Sequence, residues 1–239
     1  MIKPIQLSER MMCNAELVSS GNRLADVGTD HAYLPIYLLQ TGKIPSAIAM
    51  DIKEGPLQRA REHIERFHLQ DKIETRLSDG LCELLPDEAE SVVIAGMGGM
   101  LVIQILKEAF ARSFYPKELI LQPQSDLPKV RTFLYHTGYR IIKETLLYED
   151  GKVYFPMKAI YTGITGEIDA FHAYIGVGLS EEQHPLLRKW LVQEKKKLHH
   201  IKNALRDSNN KEQRLQREEE LYQKLLYIEK AEKYLEKTE

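Results

Sequence analysis

The stretch LADVGTDHAYLP, residues 24–35, sets one glycine among two aspartates, a histidine and a tyrosine, where an apolar run gives way to a helical pattern. A strand running through a glycine turn into a helix is where open α/β sheets hold nucleotides. A dinucleotide pyrophosphate needs several glycines there, so that backbone N–H groups and a helix N-terminus can approach it. Gly28 stands alone, and Asp26 and Asp30 would repel phosphate. Two carboxylates suit a ligand that has positive groups and no phosphate. S-adenosylmethionine, with its ammonium and sulfonium, is such a ligand. The same residues also read as a solvated loop with two surface aspartates.

Three further positions repeat the pattern at the ends of apolar runs. Asp51 follows Gly28 at roughly the 20-residue spacing of the acidic residue that takes ribose hydroxyls. Asp79, in LSDGL, could accept the exocyclic amino group of adenine, or could belong with Gly80 to a plain turn. IAGMGG, residues 94–99, brings Gly96 and Met97 to a helix start where backbone can approach a ligand, or where strand and helix simply pack closely. An Asn-Pro or Asp-Pro pair is absent there. Methylases that act on exocyclic amines commonly use one to hold the NH₂, so another acceptor atom is expected.

These residues need strands and helices to place them. Apolar runs predict strands over 23–27, 46–50, 73–77, 91–95 and 119–122. Helical patterns fall at 5–18 (with Ser8 as a cap), 31–40, 56–67, from the GMGG turn through 111, and 128–136. The alternation implies right-handed crossovers and a mostly parallel sheet. RIIKETLLYEDGKVYFPMKAIY then reads as two strands joined at residues 149–152, with Asp150-Gly151 as the hairpin signal. Pro156 argues for an edge or a bulge. Five alternating strands closed by a late hairpin differ from a dinucleotide-binding fold, which repeats βαβ in both halves. From about Pro185, Leu187, Leu191, Glu194, Leu198, Ile201 and Leu205 form one seam of coiled-coil period, and Leu221, Leu225, Ile228, Glu232 and Leu235 a second. Residues 207–210 are turn-like, so an antiparallel helical hairpin is expected. The domains are set at 1–163 and 164–239.

A net charge of −2 announces no nucleic-acid partner, so any basic footprint must be local. One exists: Arg188, Lys189, Lys195, Lys196, Lys197, Lys202 and Arg206 face a single acid, Glu194, between residues 185 and 206. It reads as a footprint for phosphates or as a solvated face balanced by its partner helix. The two cysteines, Cys13 and Cys82, have no metal or disulfide spacing. No signal-peptide core and no apolar run of membrane-spanning length is present, so a cytoplasmic location is expected, without membrane or metal.

The ordered motifs VGTDHAYLP, MDIKEGPL, SDGL, IAGMGG, LILQP and YEDGK, with LSER near the start, resemble the TrmK family of bacterial tRNA adenine-N1 methyltransferases, which acts on adenine 22 of tRNA. The resemblance covers nearly the whole chain and rests most heavily on DHAYLP with AGMGG. It implies a Rossmann-like class I methyltransferase sheet and a C-terminal coiled-coil-like helical domain. It implies S-adenosylmethionine as donor, S-adenosylhomocysteine as product, and tRNA as partner. Carried over by motif, Gly28, His31 and Tyr33 line the methionine side, Asp51 and Ile52 the ribose, Asp79 and Gly80 the adenine, and Gly96 and Met97 the methyl group. N1 of adenine has its lone pair in the ring plane, so no general base is required. A carboxylate would stabilise the cationic product; Asp30 is the candidate, with helix capping as its alternative role. Arg10 and the basic run are the expected tRNA contacts, and a monomer is expected. An NAD(P)-dependent oxidoreductase is the competing enzyme class, disfavoured by the missing glycines. A non-catalytic RNA-binding module is the third reading.

Overall fold

The computed structural model describes residues 5–182, 184–205 and 211–236, the side chains of 211–213 excepted. Arg206 and the expected turn at 207–210 lie outside the described residues. The chain divides into two compact units, Met1–Glu167 and Ile168–Glu239.

In the first unit, β1 (Leu24–Val27), β2 (Ala47–Asp51), β3 (Ile73–Leu77), β4 (Ser91–Ala95) and β5 (Glu118–Gln122) are parallel neighbours. Helices α1 (Glu9–Leu17), α2 (Tyr33–Gln40), α3 (Glu54–Arg66), α4 (Gly99–Ala111) and α5 (Leu127–His136) accompany them. The sheet contains seven strands in the order β3-β2-β1-β4-β5-β9-β6, where β6 is Tyr139–Glu144 and β9 is Met157–Tyr161. Strand order reverses between β1 and β4, which opens a crevice at their carboxyl ends. Every residue of β1 is buried, as expected of a parallel strand covered on both faces. Alternate residues feed two cores: Val92, Ile94, Leu119 and Leu121 join one, and Val93 and Ile120 the other.

The closing segment differs from expectation. The predicted two strands are four: β6 and β9 pair antiparallel within the sheet, while β7 (Leu147–Glu149) and β8 (Lys152–Tyr154) form a separate ribbon. Asp150 and Gly151 turn that ribbon with φ of 49° and 73°, the left-handed pair that a tight hairpin requires. Pro156 occupies neither an edge strand nor a bulge. It sits in the link before β9, where its carbonyl accepts from Thr145 N at 3.0 Å, and β9 lies inside the sheet between β5 and β6. The irregularity falls in β6, between Ile141 and Lys143.

Two helices start later than their patterns suggest. α1 begins at Glu9 because Ser8 caps it, its Oγ accepting from Met11 N. α2 begins at Tyr33 because His31 and Ala32 take φ of 61° and 53°. Two successive non-glycine residues in the left-handed region give the turn after Gly28 its shape at a cost of about 1–3 kcal/mol each.

In the second unit, α8 (Leu187–Ala204) and α9 (Lys211–Glu236) form the expected helix pair. Leu187, Leu191, Leu198, Leu221, Leu225, Ile228 and Leu235 are buried. The two acids of the predicted seams are used rather than stranded: Glu232 accepts from Lys195 Nζ at 2.7 Å, and Glu194 from the Tyr174 hydroxyl at 3.2 Å. Two short helices, α6 (Ala170–Ile175) and α7 (Val177–Glu181), were not expected. Asp169 caps α6 through Phe171 N and His172 N, and Phe171, Ile175 and Leu179 are buried in this unit.

Candidate active site

A cleft of about 360 Å³ opens at the carboxyl ends of β1 and β4. Asp26, Gly28 and Asp30 come to it from β1 and its turn, Tyr33 and Leu34 from α2. Ala95 and Gly96 come from β4 and the residue after it, Arg10, Met11 and Asn14 from α1, and Gln124 from beyond β5. Gly28 has φ of 75°, and its N–H donates to Met50 O at 2.8 Å. A Cβ built on Gly28 would lie 2.3 Å from Met97 Cε, so the glycine lets the turn after β1 meet the loop after β4.

Asp26 is buried, and Thr29 donates to its Oδ2 at 2.7 Å. Burial pushes its carboxyl up to about 6, against the Thr29 hydrogen bond and helped by the negative Asp51. It is nevertheless mostly ionised at neutral pH, a carboxylate in search of a positive partner. Asp30 is its opposite, 68% exposed at the side chain, and 3.2 Å from Arg59 Nη2 and 3.4 Å from His31 Nε2. It does not cap α2: the cap position is Ala32, with no side-chain bond. The capping alternative for Asp30 therefore falls away.

His31 lies outside the cleft lining and stacks on Tyr33, ring centroids 5.1 Å apart. His63 of α3 completes an aromatic trio, its ring 5.0 Å from that of His31 and its Nδ1 3.2 Å from His31 O. Asp51, Ile52, Asp79 and Gly80 are also outside the cleft lining, at the ends of β2 and β3 on the same sheet edge. Asp51 Oδ1 accepts from Lys53 N at 2.8 Å, and Ile52 beside it is 58% exposed. Asp79 is exposed, while Gly80 is buried with φ of 54°, and a Cβ there would press on Ile105 of α4 at 2.9 Å.

Arg10, expected as a tRNA contact, has its guanidinium in the cleft. It donates from Nη1 to Gln122 Oε1 at 3.0 Å, lies 3.6 Å from Glu149, and stands over the Tyr154 ring at 5.4 Å. The Arg10 N–H holds the Glu149 carboxyl below the usual carboxylate range. Sequence reasoning missed Met11, Asn14, Leu34, Arg59, His63 and Gln124. The signal for Gln124 was available in LILQPQ, where two glutamines flank a proline at a strand end. Asn14 gave none, being one polar residue on an amphipathic helix; it is buried, and its Oδ1 has no partner among the described residues.

The basic run of α8 belongs to the second unit and is partly engaged. Arg188 donates to Leu235 O at 3.0 Å, Lys195 pairs with Glu232 and Lys197 with Glu194. Lys189 and Lys196 are exposed and Lys202 is half-buried. No metal-binding cluster occurs among the described residues, and no described helix is long and apolar enough to cross a membrane.

Residues 7–157 match the methyltransferase-domain family. The tRNA (adenine(22)-N(1))-methyltransferase of Bacillus subtilis is 35% identical over 91% of this chain and 93% of that protein. The crystal structure of the B. subtilis m1A22 tRNA methyltransferase TrmK superposes with a TM-score of 0.86 at 32% identity, covering 95% of this chain and 99% of that one. Sp1610 of Streptococcus pneumoniae, solved with S-adenosyl-L-methionine, gives 0.83 at 33% identity over 95% and 99%. With that match over residues 7–157 and these relatives along nearly its whole length, this chain belongs to the methyltransferase-domain family and, within it, to the tRNA (adenine(22)-N(1))-methyltransferases.

Proposed function

We propose that the chain transfers a methyl group from S-adenosylmethionine to N1 of adenine 22 in tRNA. The observation that carries this reading is the contact of Gly28 with Met97, which brings a buried carboxylate, Asp26, and a glycine loop to one small cleft. The cleft fits such a donor: it has a buried anion for a positive group, an unpartnered Asn14 Oδ1, and backbone approach at Gly28 and Gly96.

We assign Asp26, Gly28, His31 and Tyr33 to the methionine part, Asp51 and Ile52 to the ribose, and Asp79 and Gly80 to the adenine of the donor. Gly96 and Met97 stand beside the methyl group. Bound there, S-adenosylmethionine supplies an electrophilic methyl carbon on sulfur. Adenine N1 attacks with its in-plane lone pair, the new N–C bond forming as the S–C bond breaks, and neutral S-adenosylhomocysteine leaves. No proton has to be removed first, because that lone pair is already free. The chain's work is to hold the two reactants in line. Asp30 faces the positive charge that the adenine acquires, and its own charge is tempered by Arg59.

The methyltransferase domain, set at residues 1–163 from the sequence, is then taken to extend over the compact unit Met1–Glu167, and Ile168–Glu239 is the helical domain that meets tRNA. Lys189, Lys195, Lys196, Lys197 and Lys202, with Arg188 and Arg206, supply its phosphate contacts. We take the enzyme to act as a cytoplasmic monomer. Incubation with tRNA and isotope-labelled donor, followed by mass spectrometry of the nucleosides, should yield labelled 1-methyladenosine. Label on another nucleoside, or none, overturns the reading.

A further inference from the structure

Gln122-Pro123-Gln124 leaves β5 laced to the loop that carries Gly96. Gly96 N donates to Gln122 O at 3.1 Å, and Gln124 N donates to Met97 O at 2.9 Å. The two glutamine side chains lead opposite lives. Gln122 is fully buried, with its Oε1 taken by Arg10. Gln124 is exposed and lines the cleft, and no described residue hydrogen-bonds its amide. Its Nε2 lies 3.8 Å from where a Cβ of Gly96 would stand. A primary amide with no partner among the described residues therefore stands in the cleft beside Gly96, close to the Arg10 guanidinium, on a backbone tied to the methyl-side loop.

The chemistry of the acceptor limits what such an amide can read. An adenine that attacks through N1 must turn its Watson–Crick edge toward the methyl group. The polar edge left for recognition is the N6–N7 side. A glutamine amide matches both atoms there, accepting from N6–H at Oε1 and donating to N7 from Nε2. Guanine presents two acceptors on that edge, O6 and N7, and leaves Oε1 opposed to an acceptor. Cytosine and uracil have no N7 at all.

We propose that Gln124 is the specificity residue that recognises the target adenine by its N6–N7 edge and so leaves N1 free to react. Gln122, fastened by Arg10, fixes the backbone from which it reaches. The inference rests on the adenine-N1 reading given above.

The test couples a protein change to a base change. Single-turnover methylation is measured for wild type and Gln124→Leu, each on tRNA carrying adenine or 7-deazaadenine at the target. Loss of one partner of a bidentate pair should lower the rate about ten- to a hundredfold. Wild type should lose that factor on 7-deazaadenine, Gln124→Leu should lose it on adenine, and the two losses together should not multiply. Donor affinity and melting temperature of Gln124→Leu should match wild type. A wild-type rate in Gln124→Leu, losses that multiply, or an equal loss of donor affinity each overturn the proposal while adenine methylation by the wild-type chain stands. Absence of 1-methyladenosine with the wild-type chain removes the underlying reading, and this inference with it.

Discussion

Arg59 Nη2 lies 3.2 Å from Asp30 Oδ1, joining α3 to the turn that follows β1. One helical turn on, His63 reaches the carbonyl of His31. Two side chains four positions apart on one helix face thus brace the left-handed residues at the cleft rim. The ion pair is largely exposed and contributes only about 0–1 kcal/mol to stability, so its value lies in where it puts the carboxylate.

Asp30→Asn should therefore lower single-turnover rate by about tenfold, the effect of roughly 1.4 kcal/mol of lost charge stabilisation. Donor affinity and melting temperature should barely move. A folded Asp30→Asn protein with wild-type chemistry would remove Asp30 from the reaction.

Asp26→Asn should stabilise the empty protein at neutral pH and weaken donor binding. The folded-state carboxyl sits at about 6, above its ordinary 3.8, so folding favours the protonated form. Its stabilising contribution is complete below about pH 4 and is lost as pH rises through 6, leaving an ionised group that costs about 2–3 kcal/mol. Melts of the variant and wild type should differ most at pH 7.5 and converge near pH 4. Wild-type donor affinity should fall as pH drops below 6. A variant less stable than wild type at pH 7.5 contradicts this account.

Gly28→Ala should destabilise the fold by about 1–3 kcal/mol and abolish tight donor binding, since the new Cβ meets Met97 Cε and the backbone keeps a positive φ. Met97→Ala in the same chain relieves the collision and not the backbone strain. The double variant should recover part of the stability in denaturant titrations, and full recovery would mean that φ is unimportant there.

Asp51→Ala should cost about 1.5–3 kcal/mol in donor affinity, the range for hydrogen bonds to a charged acceptor, and leave tRNA affinity unchanged. Calorimetry with the donor alone decides; unchanged affinity moves the ribose elsewhere.

On α8, Lys196→Ala should reduce the salt dependence of tRNA binding more than Lys195→Ala. Lys195 is already held by Glu232, and Lys196 is exposed. Each phosphate contact contributes roughly 0.7–0.9 to the log–log slope. Equal slopes for both variants and wild type would place the docking face off α8. Removal of the helices is best made after Glu167. A cut near residue 181 would strand Phe171, Ile175 and Leu179 without α9, the helix on which α6 and α7 pack.

The sheet was legible because its signals are local and repeated. Strands such as SVVIA carry continuous apolar runs, and this one stops at a glycine, Gly96. Gly28 and Gly96 were legible for the same reason, each lying just past the end of a strand, and Asp26 because it is the one charged residue within β1. What escaped depends on contacts distant in sequence. Arg59 and His63 look like ordinary polar positions of an amphipathic helix until α3 packs beside the turn. Arg10 looks like a surface cation until Glu149 and Gln122 draw it inward. α6 and α7 span six and five residues, too few for a helical period to declare itself.

The wall that α1 gives to the cleft is sewn by partners far down the chain. Arg10 N donates to Glu149, 139 residues away, and Ser19 N to Glu118, 99 residues away. At a synthesis rate of about 5–20 residues per second, roughly 7–28 seconds separate the emergence of this helix from that of its last partner. The core that takes Leu17 and Val18 is complete once Ile120 has emerged, and the lining of the cleft once Gln124 has. The wall is therefore raised first and fastened last, when the ribbon that carries Glu149 folds back to the N-terminus.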